Sequence, residues 1–291
     1  MARRSRTIRQ DRSSRVAPTL PTGPVPIDTG TAHVEPDPDH AARVTLHVNG
    51  VPSSCLDLDD PGFLAFEYLQ QMAAVVDLLP AGPVRALHLG AAGCALPRQI
   101  EHVRPASRQL GVDIDARLLT LVREWFSLPR SPRLRLRADD GGRALASLPA
   151  GSFDVVVRDA FDGDRTPDHL VGEDFAAAAL RVLRPGGVLL ANCADRPPLD
   201  LARREAVALA ETFGPGCAPQ GRLGLIAEPG VLKGRRYGNV VLAAVRAGGS
   251  EGSPGARVDL REASLARALR SLPVPARLLT DGEVARFAGL G

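Results

Sequence analysis

Residues 84–115 constrain the fold most. An apolar stretch (84–89) meets a turn of small residues, Gly90-Ala91-Ala92-Gly93, then a helical stretch, then a second apolar stretch ending in Asp113 and Asp115. This order predicts strand, tight turn, helix and strand, with an acid at the second strand's tip. Such a turn lets backbone N–H groups approach a ligand, and such an acid accepts hydrogen bonds from ribose hydroxyls. Asp113 follows Gly90 by 23 residues, close to the spacing of about 20 expected for a ribose-binding acid. The turn is not GxGxxG, so a nucleoside is expected rather than a dinucleotide.

The alternation continues downstream. A strand at 133–138 leads into Asp139-Asp140-Gly141-Gly142, and a strand at 153–158 leads into Asp159-Ala160-Phe161-Asp162-Gly163. A helix at 173–183 stops at Arg184-Pro185-Gly186-Gly187, and a buried strand at 188–193 and a helix at about 199–213 follow. Two last strands, about 223–227 and 239–245, flank a basic loop, Lys233-Gly234-Arg235-Arg236-Tyr237. Repeated βα units make a parallel sheet with helices on both faces, and its ligand sits beyond the carboxyl ends of the strands. Asp113, Asp139, Asp159 and Asp162 all follow strands at that end. One such acid is ordinary turn chemistry. Several from successive strands would face one crevice suited to hydroxyls, an adenine amine and cationic groups.

Upstream, residues 1–40 combine Arg3, Arg4, Arg6, Arg9, Arg12 and Arg15 with prolines and few apolar residues, the composition of a disordered tail. Residues 41–80 hold a small β element and a lead-in helix. Val44, Leu46 and Val48 alternate before Asn49-Gly50, a strong hairpin signal. Asp60-Pro61 is expected to open the helix, with Phe63, Phe66, Leu69, Met72, Ala73 and Val76 as its apolar stripe and Glu67 and Gln70 as polar residues able to reach a cleft. The main α/β domain spans 81–247. A flexible linker at 248–256 precedes an extension with a short extended piece and two small helices, about 262–271 and 281–288, expected to fold back onto the body.

A net charge of +3 argues against a surface built for nucleic acid. Lys233 is the only lysine, and arginine is spread over every segment. Cys55, Cys94, Cys193 and Cys217 contain no CxxC, so neither a zinc site nor a disulfide framework is expected; Cys94 and Cys193 sit in apolar surroundings as small core residues. No apolar stretch is long enough for a membrane span and no signal core follows the basic start, so a cytoplasmic location is expected.

With the hairpin, the lead-in helix, the small-residue loop and Asp159-Ala160-Phe161-Asp162 in view, the chain resembles the spermidine synthase family of aminopropyltransferases over about 44–246. It looks most like the divergent, actinobacterial-type members, whose loop reads roughly GGGALTLPR; here it is Gly90-Ala91-Ala92-Gly93-Cys94-Ala95-Leu96-Pro97-Arg98. The resemblance implies a methyltransferase-like Rossmann fold, a parallel sheet with an antiparallel last strand and helices on both faces, preceded by a small N-terminal β element. It implies decarboxylated S-adenosylmethionine as co-substrate without a metal, a polyamine or other small amine as acceptor, and association as a homodimer.

By matching position, Asp159 would orient or deprotonate the amine, and Asp162, with Glu67, would hold the polyamine. Asp113 would be the ribose acid and Asp139 and Asp140 the pair near the adenine, with Gly90, Ala92, Gly93 and Ile114 completing the nucleoside site. The chain departs from the family pattern at four places. Gly93 stands where the family loop has Asp, Ser53 where DGxxQ has Gln, Ala65-Phe66-Glu67 where the helix has Tyr-His-Glu, and Gly163 where Pro follows the second Asp. The nucleoside half of the pattern is thus better kept than the amine half. An S-adenosylmethionine-dependent small-molecule methyltransferase and a non-catalytic nucleoside-binding member remain as alternatives.

Overall fold

The computed structural model describes residues 20–163, 165–214, 221–248, 258–280 and 282–290. The arginine-rich start, Cys217 and all of the expected linker but Gly248 lie outside these. Four strands come first: β1 (Val25–Ile27), β2 (Gly30–Pro36), β3 (Arg43–Val48) and β4 (Val51–Asp57). They form an antiparallel sheet in the order β1-β2-β3-β4. The expected turn joins β3 to β4, with Asn49 at φ 52° and Gly50 at φ 79°, the left-handed pair a tight hairpin needs.

A tail reaching residue 40 is therefore too long, because residues 25–36 are paired strand. The stretch hides its character because β2 buries only Ala32 and Val34, while Pro26 and Pro36 sit on an edge strand and a strand end, where a missing N–H is tolerated.

Helix α1 (Glu67–Val76) starts later than Asp60-Pro61 suggested. The Asp60 carboxylate accepts from Gly62 N at 2.8 Å, closing a local turn instead of capping a helix. The buried face of α1 carries Tyr68, Leu69, Gln71, Met72, Ala73, Val75 and Val76, so the expected positions Leu69, Met72, Ala73 and Val76 are buried and the face is wider than the expected stripe, taking in Tyr68, Gln71 and Val75.

The main body follows as β5 (Arg85–Leu89), α2 (Ala95–Val103), β6 (Arg108–Asp113), α3 (Ala116–Trp125), β7 (Leu134–Ala138), α4 (Gly141–Ser147), β8 (Phe153–Arg158), α5 (Gly172–Val182) and β9 (Leu183–Asp195). Then come α6 (Asp200–Phe213), β10 (Leu223–Ala227), α7 (Pro229–Leu232), β11 (Gly238–Val245), α8 (Ala263–Arg270), β12 (Arg277–Thr280) and α9 (Gly282–Ala288). The sheet order is β12-β10-β11-β9-β8-β5-β6-β7. Strands β5 to β9 pair in parallel, and β11 inserts antiparallel between β9 and β10. This is the mixed α/β, methyltransferase-like Rossmann arrangement that was expected. The C-terminal extension does fold back: β12 pairs antiparallel with β10 and becomes an edge strand.

Strand alternation sorts the core into two layers. Val155 and Val157, Val188 and Leu190, and Val241 and Ala243 pack on one face. Leu87 and Leu89, Val156, Leu189 and Ala191, and Leu242 and Ala244 pack on the other. Because both faces are covered, the strands' carboxyl edge is left to carry the chemistry. Backbone hydrogen bonds align the tips there: Gly90 N to Val112 O at 2.9 Å, Asp139 N to Asp113 O at 2.9 Å and Asp159 N to Leu89 O at 2.8 Å. Asp139, Asp113, Gly90 and Asp159 thus stand side by side on four adjacent strands. No helix of the described residues is long and apolar enough to cross a membrane.

Candidate active site

The loop after β5 is shaped by its neighbours. Gly90 has φ 85°, and a Cβ on it would stand 2.2 Å from the Asp159 carbonyl oxygen, so only glycine lets the two tips meet. Ala92 and Cys94 are also left-handed, at φ 33° and 61°. This winding turns two amides toward Asp113, whose carboxylate accepts from Ala91 N at 3.2 Å, Ala92 N at 3.1 Å and Asp115 N at 3.1 Å. Burial raises the Asp113 carboxyl above its ordinary value, against the opposing pull of these three bonds. Asp113 therefore pins the loop as well as standing at the tip, a role that spacing alone did not reveal. Ile114 beside it is 67% exposed, an apolar side chain in the open at the same strand end.

Asp139 and Asp140 are more committed than expected. The Asp139 carboxylate pairs with Arg137 and Arg143, which hold its carboxyl below the ordinary range. Asp140 caps α4 by accepting from Arg143 N at 2.8 Å and also meets His169 Nε2 at 2.7 Å.

The N-terminal sheet grips this half of the site. Ser54 Oγ on β4 accepts from Gly93 N at 3.0 Å, and a Cβ at position 93 would come within 2.6 Å of the Ser54 Cβ. The close approach of Ser54 explains why glycine stands where the family loop has Asp. Ser53 bonds locally to Val51 O at 3.0 Å, so its neighbour is the residue that reaches the loop. Asp115 caps α3 through Leu118 N at 2.6 Å and accepts from Thr29 N and Oγ1 at 2.7 and 2.8 Å. Arg98 donates to Asp57 O at 3.0 Å. Gln109 links His88 on β5 to Pro97 on α2, with Oε1 3.0 Å from His88 Nε2 and Nε2 donating to Pro97 O at 2.8 Å, so both serve the packing of the fold.

The other half is built around Asp159. Its carboxylate accepts from the Tyr68 hydroxyl at 2.9 Å and from Asn192 Nδ2 at 3.0 Å. Burial lifts the Asp159 carboxyl, while the Asn192 and Tyr68 bonds and the Arg158 charge pull it down. The Tyr68 phenol is pushed well above 10, by burial first and by the Asp159 charge second, so it stays a donor. Glu67, the residue before Tyr68 at the start of α1, accepts at 3.0 Å from Nδ2 of Asn239, the second residue of β11. Two other buried polar groups of these elements, Asn192 Oδ1 and the Gln71 amide, have no hydrogen-bond partner among the described residues. The result is an edge rich in acceptors, the chemistry that receives a protonated amine.

Behind Asp159 lies a buried ion pair. Arg158 Nη1 reaches Glu205 Oε2 at 2.6 Å, and Nη2 donates to Asn192 O at 2.6 Å. One arginine thereby fixes the strand that presents the Asn192 amide to Asp159. Asp162 stands apart from this group, in an exposed turn where its backbone pairs with Arg165.

Tyr68, Asn192, Asn239 and Ser54 did not emerge from the sequence. Asn192 left a trace, as the one polar residue in the apolar run 188–193. Tyr68 left less, because the expected helix stripe placed it on the flank.

Comparison with known proteins gives a consistent set of relatives. No family model matches the chain. It is similar to a probable spermidine synthase from Corynebacterium glutamicum of known crystal structure, at 32% identity and TM-score 0.82, covering 93% of this chain and 94% of that one. It is similar to the polyamine aminopropyltransferase of Chromobacterium violaceum, 31% identical over 139 residues, which cover 48% of this chain and 53% of that protein. The match thus spans about half the length of that curated relative, as it does for that of Neisseria meningitidis, at 57%. A spermidine synthase solved in complex with the transition-state analogue AdoDATO superposes with TM-score 0.60 over 92% of this chain and 89% of that one; at 15% identity this likeness shows the fold alone.

Proposed function

The chain belongs to the spermidine synthase family, and from that premise we propose that it is a cytoplasmic aminopropyltransferase, moving the aminopropyl group of decarboxylated S-adenosylmethionine onto a polyamine or related amine. The observation that carries this is the Tyr68–Asp159–Asn192 set at the end of β8, beside the Gly90–Gly93 loop and the tips bearing Asp113 and Asp139.

The chemistry asks little of the protein beyond alignment and one proton acceptor. A neutral amine nitrogen attacks the carbon next to the sulfonium. The new C–N bond forms as the C–S bond breaks, its electron pair goes to sulfur, and methylthioadenosine leaves. The nitrogen's surplus proton passes to the Asp159 carboxylate. A buried carboxylate with a raised pKa is a better base for this than an exposed one. Tyr68, kept protonated, holds one oxygen of that carboxylate and Asn192 the other. Glu67 and Asn192 Oδ1 supply acceptors for the far, cationic end of a diamine.

The test is product analysis. The protein is incubated with decarboxylated or intact S-adenosylmethionine and a panel of diamines and triamines. Methylthioadenosine from the decarboxylated donor is expected. S-adenosylhomocysteine from the intact donor, or neither product at high protein concentration, overturns the proposal.

A further inference from the structure

Lys233 is the only lysine among the chain's 36 lysine and arginine residues. It follows α7 in the basic loop between β10 and β11, and it lines a cavity of about 270 Å³ with Arg277, Arg286, Glu283, Leu232 and Leu279. Glu283 is spent on Arg277, with which it forms an ion pair. The Lys233 ammonium and the Arg286 guanidinium have no partner among the described residues, and all three cations are exposed side chains. Among the described residues, two positive charges therefore face this space without a carboxylate partner, beside an apolar wall.

The cavity is separate from the crevice described above. It lies among β10, β12, α7 and α9, whereas Asp159 stands on β8, with β9 and β11 between. Its charge is also opposite to that of the crevice: Asp159 and Glu67 suit cations, and this site repels them.

We propose that this cavity binds a small phosphorylated anion. A phosphoryl dianion matches the two uncompensated charges. Lysine serves it as a compact point charge with three donors, and arginine as a planar fork. The volume falls just below the range for drug-sized pockets, about 300–1,000 Å³, which suits an inorganic pyrophosphate or the phosphates of a nucleotide whose remainder lies against Leu232 and Leu279.

A single lysine makes occupancy directly readable. The full-length protein is acetylated with an amine-reactive ester, and modification of Lys233 is followed by peptide mass spectrometry, with the chain's α-amino group as internal reference. Pyrophosphate or ATP, at about ten times its dissociation constant, is expected to slow Lys233 acetylation about tenfold relative to chloride at equal ionic strength. Arg286→Ala should weaken that protection, and Asp159→Asn should leave it intact, because the crevice is not involved. Protection by both anions or by pyrophosphate alone assigns the phosphoryl group as the recognised part, and protection by ATP alone assigns a nucleotide. Protection by neither anion, with rates equal to that in chloride, overturns the proposal, as does protection that Arg286→Ala leaves unchanged.

Discussion

The Tyr68 hydroxyl donates to the Asp159 carboxylate at 2.9 Å, joining the first turn of α1 to the end of β8 across 91 residues of sequence. Burial raises both groups, so the phenol keeps its proton and the carboxylate holds one more readily than an exposed acid does.

Removing the Tyr68 bond has a signed consequence for pH dependence. The bond lowers the Asp159 pKa, against the lift from burial. Activity requires the ionised carboxylate, so it falls as pH drops through that pKa. In Tyr68→Phe the fall should begin at higher pH, with kcat/KM down about tenfold near neutrality, the loss of one charge-assisted hydrogen bond. Rate profiles across pH for the two proteins check this; an acid limb that stays in place would reject the role given to Tyr68.

His88 predicts how the fold responds to acid. It is 2% exposed, and burial pushes its imidazole down to about 4, against a smaller upward pull from Gln109. The unfolded imidazole titrates near ~6.5. Between those values the unfolded chain binds a proton that the folded chain refuses. Stability is therefore lost as pH falls from about 6.5 toward 4, by on the order of 3 kcal/mol at the lower end. Urea unfolding of the wild type and His88→Gln at several pH values isolates the contribution; the variant should show the flatter dependence.

Gly93 and Ser54 should behave as a coupled pair. In Gly93→Ala the new methyl meets the Ser54 Cβ at 2.6 Å, a collision expected to cost about 1–3 kcal/mol. Ser54→Gly removes the obstructing atom, so the double variant should recover part of the loss. Thermal unfolding of the four proteins in the cycle measures the coupling, and additive effects would mean that the sheet does not brace the loop.

The positions of Asp113, Asp139 and Asp159 were legible because each ends a strand-like stretch, and parallel pairing brings such ends to one edge. What their carboxylates bond was not. Asp139 is drawn to Arg137 and Arg143, and Asp113 to the loop amides, through local geometry that a strand pattern does not contain. Tyr68 and Asn192 meet Asp159 only once three distant elements have packed, and Tyr68 lies on the part of the buried face of α1 that the apolar stripe did not include. Strand β2 escaped notice because its two buried residues, Ala32 and Val34, are too few to make a pattern among polar neighbours and prolines. The place of β12 depended on a free edge of β10, which no local signal announces.

The central claim is that the carboxylate of Asp159 takes the proton of the attacking amine. Methylthioadenosine release from decarboxylated S-adenosylmethionine and a diamine, compared between the wild type and Asp159→Asn, tests it most directly. The account predicts steady release by the wild type and release at least ~100-fold slower from the variant, with methylthioadenosine binding retained in calorimetry. Release at similar rates from both proteins would contradict it.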